Sequence, residues 1–355
     1  MKKVLFFLII LSGFSVRPAF SQNDTIDSPM ISVDTLQQDF GLFTNDEILN
    51  LSFRFDITEY RRKKPKEEYL KAVLTYHINE QDSINKEIKL KSRGIMRNEY
   101  CDFPPIKLNF GKDDFQQTDL SKIDKIKMVT HCKYGNEDYL LREYLVYKLY
   151  NVLTDNSFRV RLVKVDYINT AKKSKPIETY AFLIEPIEIL AGRTNSVPVN
   201  SLKLSQKNIV PEIMDRMAIF NYMIGNTDWS VPNLHNCKIL SGLSVDNPGL
   251  GVIVPYDFDY SGLVNADYAV PYEGLDIKSV RERRYVGICR DEEVYTRELK
   301  EFLDKKEAFY RVINEFPLLA EKTKKEMIDY LESFYRMFDK RNSIVHDILS
   351  GCNKF

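Results

Sequence analysis

The chain has 355 residues, of which 51 are Lys or Arg and 51 are Asp or Glu, so its formal net charge at pH 7 is zero. This balance gives no signal for nucleic acid or an anionic membrane surface as a partner. Hydrophobic residues make up 44% of the chain, which is enough for one large domain or two lobes with a sizeable core.

The N-terminus has the pattern of a cleavable secretory signal peptide. Lysines at positions 2 and 3 precede an apolar run from Val4 to Gly13, and Ala19 and Ser21 suit the −3 and −1 positions of a cleavage site. The run is shorter than the ~20 apolar residues of a membrane-spanning helix, so no transmembrane segment is expected. We expect cleavage of residues 1–21, a polar linker over 22–42, and a periplasmic or extracellular protein.

Alternating apolar and polar residues predict strands through the first half of the chain. These strands are expected at 49–57, 72–77, 86–93, 106–110, 125–131, 158–168 and 180–184. The basic run from Arg61 to Lys66 predicts a solvated loop between the first two strands, with a binding patch as the alternative. Between the fifth and sixth strands, Leu141, Leu145 and Leu149 recur among strong helix formers and predict a helix.

Helical patterns dominate the second half. Residues 209–224 predict an amphipathic helix that ends at Gly225, a residue suited to a left-handed C-cap. A buried strand is expected at 252–256, and helical periodicity runs from 294 to 349 with a break at Pro317. The pattern predicts an α+β protein with two lobes. Its β-rich N-terminal lobe with one helix spans 43–190, and its mainly helical C-terminal lobe spans 191–355.

The five cysteines lie far apart and include no CxxC pair: Cys101, Cys132, Cys237, Cys289 and Cys352. A zinc site is therefore not expected. In an oxidising compartment the chain can form one or two disulfides, and the odd count leaves at least one thiol over. The sequence does not determine the pairing.

Two short segments carry the residue types that phosphoryl transfer uses. The first, NYMIGNTDWSVPNLHN, places Asp228 and Asn233 five positions apart in a loop that follows a helix. The second, PYDFDYSG, begins where a strand ends and holds Asp257 and Asp259. One carboxylate can accept the proton of an attacking hydroxyl, while an amide oxygen and a second carboxylate can hold Mg²⁺ against phosphates. The two segments together predict a metal–phosphate site.

The loop from Gly225 to Asn233 resembles the catalytic loop of atypical kinases of the HipA and CotH (spore-coat kinase) type. Tyr256-Asp257 is similar to the strand end that binds metal in these kinases. The resemblance extends over roughly residues 43–262 and implies a two-lobed, protein-kinase-like fold.

The upstream half is similar to the CotH-like pattern at three places. Arg93-Gly94 resembles its R-G turn, and LREYLVYKL, which begins at Leu141, resembles its helix. YAFLIE, which ends at Glu185, resembles its linker strand. The resemblance implies that Arg93 and Glu185 contact the cofactor.

For the catalytic residues, the resemblance implies Asp228 as the base and Asn233 and Asp257 as metal ligands. Asp259 is a further candidate ligand of the same ion, with a cap of the next turn as the alternative. It implies ATP with Mg²⁺ or Mn²⁺ as the cofactors. The phosphate acceptor would be a hydroxyl of an exported protein or of another envelope molecule.

A phosphate-binding lysine is expected to pair with a carboxylate on the helix. The resemblance implies Glu143 as that carboxylate, because a lysine held by a helix glutamate points at the α- and β-phosphates. Lys127, on the strand before the helix, is the choice for the lysine. Lys125 lies on the same face by a period of two, so the assignment between the two lysines stays open.

Two further functions stay open. The chain has no GxGxxG loop, and Trp229 follows Asp228 where HipA-like loops carry a small or basic residue. These departures favour a non-catalytic interaction protein of the cell envelope with the same fold. The third function, a calcium-binding surface protein that uses Asp257 and Asp259, has less support, because Ca²⁺ takes about six to eight oxygen ligands.

Overall fold

The computed structural model describes residues 42–111, 123–135, 137–201, 203–242, 249–338 and 343–353. The predicted signal peptide and the predicted linker, apart from Leu42, lie outside these ranges. Within them, every helix is too short or too polar to cross a membrane. The described chain is a mixed α and β fold.

Seven strands of the described chain form a closed barrel-like sheet in the order β1-β2-β3-β4-β5-β7-β6. Their bounds are β1 Leu49–Phe55, β2 Leu70–His77, β3 Ser83–Ser92, β4 Ile106–Asn109, β5 Lys125–Val129, β6 Val160–Asn169 and β7 Ile177–Ile184. Neighbouring strands run antiparallel, except that β1 and β6 are parallel and close the barrel.

The alternation of side chains explains why these segments form strands around a core. In β1, the apolar residues Leu49, Leu51, Phe53 and Phe55 are buried. Arg54, which lies between the last two, is exposed. Because side chains of a strand point alternately to its two faces, the apolar set fills the barrel interior. The seven predicted strands of the first half are confirmed, with ends that differ by a few residues.

The helices and a second, smaller sheet follow mainly in the second half. The helices are α1 Ile57–Lys63, α2 Met96–Tyr100, α3 Glu137–Leu153, α4 Ile187–Arg193, α5 Pro211–Ile224, α6 Glu292–Asp304, α7 Lys306–Asn314, α8 Glu321–Tyr335 and α9 Ser343–Gly351. The strands β8 Ser196–Val199, β9 Cys237–Gly242 and β10 Gly251–Pro255 form an antiparallel sheet in the order β10-β9-β8. The predicted helices α3 and α5, the strand β10 and the helical tail are confirmed, and Pro317 lies between α7 and α8.

Two hydrophobic clusters hold the described chain together. One fills the barrel and includes Phe53, Leu74 and Leu90. The other joins α3 and α5 to the C-terminal helices and includes Leu145 and Met217. Helix α3 is buried on nearly every side because it packs on β7 and β6 as well as on α7. The lobe boundary at residues 190 and 191 stays a prediction.

The basic run at residues 61–66 differs from its prediction as a loop. Arg61, Arg62 and Lys63 belong to the last turn of α1, and Lys64 is its C-cap in the left-handed region at φ 42°. Asp56 caps the start of this helix by accepting the N–H of Glu59 at 2.7 Å. Basic residues suit a helix C-terminus because the macrodipole is negative there.

Two disulfides form, as the cysteine count allowed. Cys101 pairs with Cys132, and Cys289 pairs with Cys352. Cys237 is a buried free thiol. The first disulfide joins the residue directly after α2 to the segment after β5, so it fixes the position of this short helix.

Candidate functional site

A cavity of about 390 Å³ gathers most of the predicted site residues. Its lining includes six of them, namely Arg93, Lys127, Asp228, Asn233, Asp257 and Asp259. Further lining residues, which the sequence did not predict, include Arg97, His235 and Asn236. Basic and acidic groups therefore face the same space, as binding of a metal–phosphate group requires.

The end of α5 positions the loop that carries Asp228. Gly225 ends the helix at φ 68°, and a Cβ there would lie 2.1 Å from Oη of Tyr330, so the position requires glycine. The next residue, Asn226, is buried and donates from its side chain to Oδ1 of Asn221 at 2.8 Å. Its own Oδ1 accepts the N–H of Asp228 at 3.1 Å. The side chain of the buried Asn226 thus fixes the conformation of the loop.

Backbone hydrogen bonds join this loop to the segment that carries the other two aspartates. The N–H of Tyr256 donates to the carbonyl of Asn236 at 3.0 Å, and the N–H of Gly262 donates to the carbonyl of Gly225 at 3.0 Å. The two motifs of the sequence therefore form one structural unit.

Asp228 is partly exposed, and each of its carboxylate oxygens has a neighbour. Nε2 of His235 lies 2.8 Å from Oδ1, and Nδ2 of Asn236 donates to Oδ2 at 2.9 Å. The same amide donates to the backbone carbonyl of Asp228 at 2.8 Å. A carboxylate accepts about four hydrogen bonds, so these contacts orient Asp228 and leave it capacity to accept a proton.

Two asparagines of this loop line the cavity. Asn233, the predicted ligand, is exposed, whereas Asn236 is 8% exposed and held by Asp228 and Tyr256. Nδ2 of Asn236 makes both of its bonds to Asp228, and in the described chain its Oδ1 accepts none. Asn236 is therefore the better positioned amide oxygen, and its sequence position gave no sign of this.

Asp257 follows β10 in a backbone conformation that few residues adopt. Its φ is 65°, a region that costs about 1–3 kcal/mol for a non-glycine residue and is common at functional sites. Its N–H donates to Oη of Tyr147 at 2.8 Å. Tyr147 lies one helical turn after Glu143 on α3, so the same helix positions Asp257 and presents a carboxylate beside it.

Three carboxylates meet beside the cavity: Asp257 and Asp259 line it, and Glu143 lies next to them without lining it. Within the residues that the structure describes, ligand oxygens of Glu143, Asp257 and Asp259 lie within 4.8 Å of one another. Glu143 is fully buried and Asp259 is 5% exposed. Buried carboxylates need a cation or hydrogen-bond donors, because water no longer stabilises their charge.

Arg97 of α2 is the cation that reaches this cluster. Its Nη2 donates to Oε2 of Glu143, and its Nε lies 2.8 Å from Oδ2 of Asp259. The hydroxyl of Tyr268 lies 3.0 Å from both this Nε and Oδ2 of Asp259. The predicted partner of Glu143 was a lysine, so the structure differs here: the pair is Arg97–Glu143, and Lys127 does not take part.

Burial dominates the titration of these groups. It raises the pKa of Glu143 to about 8, against the opposing charge of Arg97. Burial also raises the pKa of Asp259, again against Arg97. The charge of Arg97 favours the ionised form of both carboxylates, so one further cation in the cavity would lower both pKa values.

Lys127 lines the same cavity, with its Nζ 4.8 Å from the ring centre of Tyr256. Burial, together with the smaller effect of the charges of Arg93 and Lys238, lowers its pKa to about 8. Lys125 is exposed and pairs with Asp124 at 3.1 Å. Of the two candidate lysines, only Lys127 lines the cavity.

Glu185, also predicted to contact the cofactor, does not line the cavity. Oε1 of its buried carboxylate accepts from Nε of Arg193 at 2.8 Å. Oε2 accepts from Nη2 of Arg193 at 2.9 Å and from the N–H of Arg159 at 3.0 Å. Glu185 directly follows Ile184, which pairs with Lys127 in the sheet, so it lies near the cavity with its oxygens already bonded.

Comparison with known proteins gives little beyond this geometry. No protein-family model matches the chain, and no curated protein matches it. Among solved structures it is similar to the proinflammatory kinase CtkA of Helicobacter pylori, with a TM-score of 0.37 and 11% sequence identity. The alignment covers 70% of this chain and 90% of that chain. A likeness this distant carries no argument, so the proposals below rest on the cavity.

Proposed function

We propose that the cavity binds ATP with Mg²⁺ or Mn²⁺ and transfers the γ-phosphoryl group to a hydroxyl of an exported protein or another envelope molecule. One observation carries the proposal: a single cavity of about 390 Å³ is lined by Asp228, Asp257 and Asp259 together with Lys127 and Arg93. Phosphoryl transfer needs both signs of charge at one place, since cations hold the phosphates while carboxylates hold a metal and accept a proton.

The donor set fits a hard divalent cation. Asp257, Asp259 and the amide oxygen of Asn236 all line the cavity, and oxygen ligands are those that Mg²⁺ prefers. A bound cation would supply charge neutralisation at the phosphates. Asn233, predicted as a ligand, remains a second source of an amide oxygen.

Side chains of the protein bind the phosphates and take the proton. Lys127 and Arg93 bind phosphate oxygens. The acceptor oxygen forms a bond to the γ-phosphorus, the bond from that phosphorus to the β–γ bridging oxygen breaks, and ADP leaves. Asp228 takes the proton of the acceptor hydroxyl, and its contacts with His235 and Asn236 keep the carboxylate in place.

A thermal-shift titration of the chain without residues 1–21 tests the proposal. ATP with Mg²⁺ or Mn²⁺ is expected to raise the melting temperature, because a ligand at 100 times its Kd stabilises the folded state by about 2.7 kcal/mol. Asp257→Asn should lose this shift. Asp329→Asn, at an exposed i,i+4 pair on α8, is the matched control and should keep it. No shift with either metal would contradict the proposal.

The second candidate is a non-catalytic interaction protein, and one observation favours it. Glu143 pairs with Arg97 and not with a lysine, so the arrangement expected of an active kinase is not the one present. If this candidate is right, ATP and metal bind without transfer, or neither binds. Incubation with γ-labelled ATP and envelope extract separates the two, since only the first candidate predicts label on an acceptor.

We also propose export, and the two disulfides support it. Disulfides persist in oxidising compartments and are rare where thiols are kept reduced. Fractionation of the source cells tests this proposal. Mature protein in the periplasm or medium with one thiol that is alkylated after unfolding is expected, and fully reduced protein in the cytoplasm would contradict it.

A further inference from the structure

The cluster of Glu143, Asp257 and Asp259 contains three carboxylates, and two of them pair with a single arginine, Arg97. Ligand oxygens of the three carboxylates lie within 4.8 Å of one another, and the guanidinium of Arg97 contacts two of them, Glu143 and Asp259. When all three carboxylates are ionised, one guanidinium leaves about two negative charges at a place where Glu143 and Asp259 are buried. A divalent cation would balance this excess.

One oxygen of the cluster has no partner. Oε1 of Glu143 is buried, and no hydrogen bond reaches it. A buried acceptor without a donor costs about 1–3 kcal/mol, and more when it is charged. The other oxygen, Oε2, already accepts from Arg97. The free oxygen is a second observation, independent of the clustering, that indicates a ligand between the carboxylates.

Arg97 holds this cluster by single contacts. Its Nη2 reaches Glu143 and its Nε reaches Asp259, so neither carboxylate receives the two parallel bonds of a bidentate pair. Arg97 lies on α2, a helix of five residues without a side-chain N-cap bond. The guanidinium is therefore a cation that a smaller, doubly charged ion can replace.

We propose that Glu143 is a third carboxylate ligand of a divalent cation, together with Asp257 and Asp259, and that Arg97 is an internal competitor for the same position. In the protein without metal, Arg97 neutralises part of the cluster and the site is closed. Binding of the cation displaces the guanidinium and frees it toward the cavity. This inference deepens the proposed function and rests on it only for the identity of the metal.

Titration with Mn²⁺ alone, with free Mn²⁺ counted by its electron paramagnetic resonance signal, tests the role of Glu143. Removal of a supporting group around a metal typically costs 10–100-fold in affinity, so Glu143→Gln should weaken binding at least tenfold. Glu185→Gln is the matched control, because Glu185 is also a buried glutamate paired with an arginine. It should bind Mn²⁺ as the wild type does.

Two variants of Arg97 test its role as the internal competitor of the cation. Arg97→Met should tighten Mn²⁺ binding, whereas Arg193→Met should leave it unchanged. If Arg97→Met does not fold without metal, Arg97→Lys replaces it, and this variant should also bind more tightly because a lysine lacks the second contact. Wild-type affinity in Glu143→Gln, or weaker binding in both Arg97 variants, would overturn the inference.

Addition of ATP after Mn²⁺ separates this inference from the proposed function. Mn²⁺ binding that depends on Glu143, without any effect of ATP, would uphold the inference and reject the kinase proposal. ATP binding that depends on Asp257 but not on Glu143 would reject the inference and uphold the proposed function.

Discussion

The described chain contains two buried glutamate–arginine pairs, Glu143 with Arg97 and Glu185 with Arg193, and they differ in how many of their oxygens are bonded. At Glu185 both oxygens are bonded, Oε1 to Arg193 and Oε2 to Arg193 and the N–H of Arg159. At Glu143 one oxygen accepts from Arg97 and the other accepts nothing. Arg97 also pairs with Asp259, whereas Arg193 pairs with Glu185 alone among the described carboxylates.

The difference separates a structural ion pair from the proposed cation site. A buried pair holds its place when every lone pair and proton is used, because desolvation otherwise outweighs the attraction. The Glu185 pair meets this condition through contacts within the chain. The Glu143 cluster does not, and a cation from solution is what would complete it.

The largest expected effect comes from removing each arginine. Arg193→Met leaves Glu185 buried with one donor, and loss of one partner of a buried pair costs about 3–5 kcal/mol. Arg97→Met should lose a similar amount in metal-free buffer. Mn²⁺ should restore stability to the second variant and not to the first, because only the Glu143 cluster binds it.

Urea unfolding with and without Mn²⁺ measures both variants. Equal stabilisation of the two variants by Mn²⁺ would contradict the proposed difference between the two pairs, since the metal would then bind elsewhere. Wild-type stability of Arg97→Met in metal-free buffer would contradict it as well, because Arg97 would then not neutralise the cluster.

The two disulfides offer a smaller effect that sharpens the same comparison. Replacing either pair by serines should cost about 2–4 kcal/mol, because each disulfide restricts the unfolded chain. Only Cys101→Ser with Cys132→Ser should also tighten Mn²⁺ binding, since Cys101 directly follows the helix that carries Arg97. Cys289→Ser with Cys352→Ser is the matched control. Equal Mn²⁺ affinity in the two double variants would show that α2 does not limit binding.

The smallest expected effect is a pH dependence at Lys127. Its pKa is lowered to about 8, mainly by burial, so the free protein loses this positive charge as the pH rises through 8. Phosphates favour the charged form and raise the pKa in the complex. ATP affinity should therefore fall by up to about tenfold per pH unit above 8, until the pKa of the complex is reached.

Isothermal titration at pH 7 to 10 measures this dependence. Lys127→Arg should flatten it, because arginine stays charged throughout this range. Lys125→Arg should keep the wild-type profile, since Lys125 is exposed and its pKa is raised by a hydrogen bond with Asp124. A flat profile in Lys125→Arg alone would assign the phosphate contact to Lys125.

Local patterns predicted most of the fold. The strands β1 to β7 alternate in polarity, and α5 ends at a glycine. Each of these signals is contained in a short stretch of consecutive residues. The short elements α1, α2 and α4 carry no such period and were not predicted. The closure of the barrel by the parallel pair of β1 and β6 joins residues more than a hundred positions apart, and no local pattern encodes it.

The site was predictable where its residues lie in two short segments. Asp228, Asp257 and Asp259 were recognised because their spacing and the preceding elements indicate phosphoryl transfer. Arg97 was missed because nothing in its five-residue helix marks it, and its partners are 46 and 162 positions away. Asn236 was missed because loop geometry, and not spacing, decides which of two asparagines faces Asp228.

The most direct test of the account is a manganese anomalous difference map from crystals grown with Mn²⁺ and a non-hydrolysable ATP analogue. The account predicts a manganese peak bonded to Asp257 and Asp259, with Glu143 as a further ligand and the phosphates against Lys127 and Arg93. A map with Arg97 still between Glu143 and Asp259, and with manganese and nucleotide outside the cavity or absent, would contradict it.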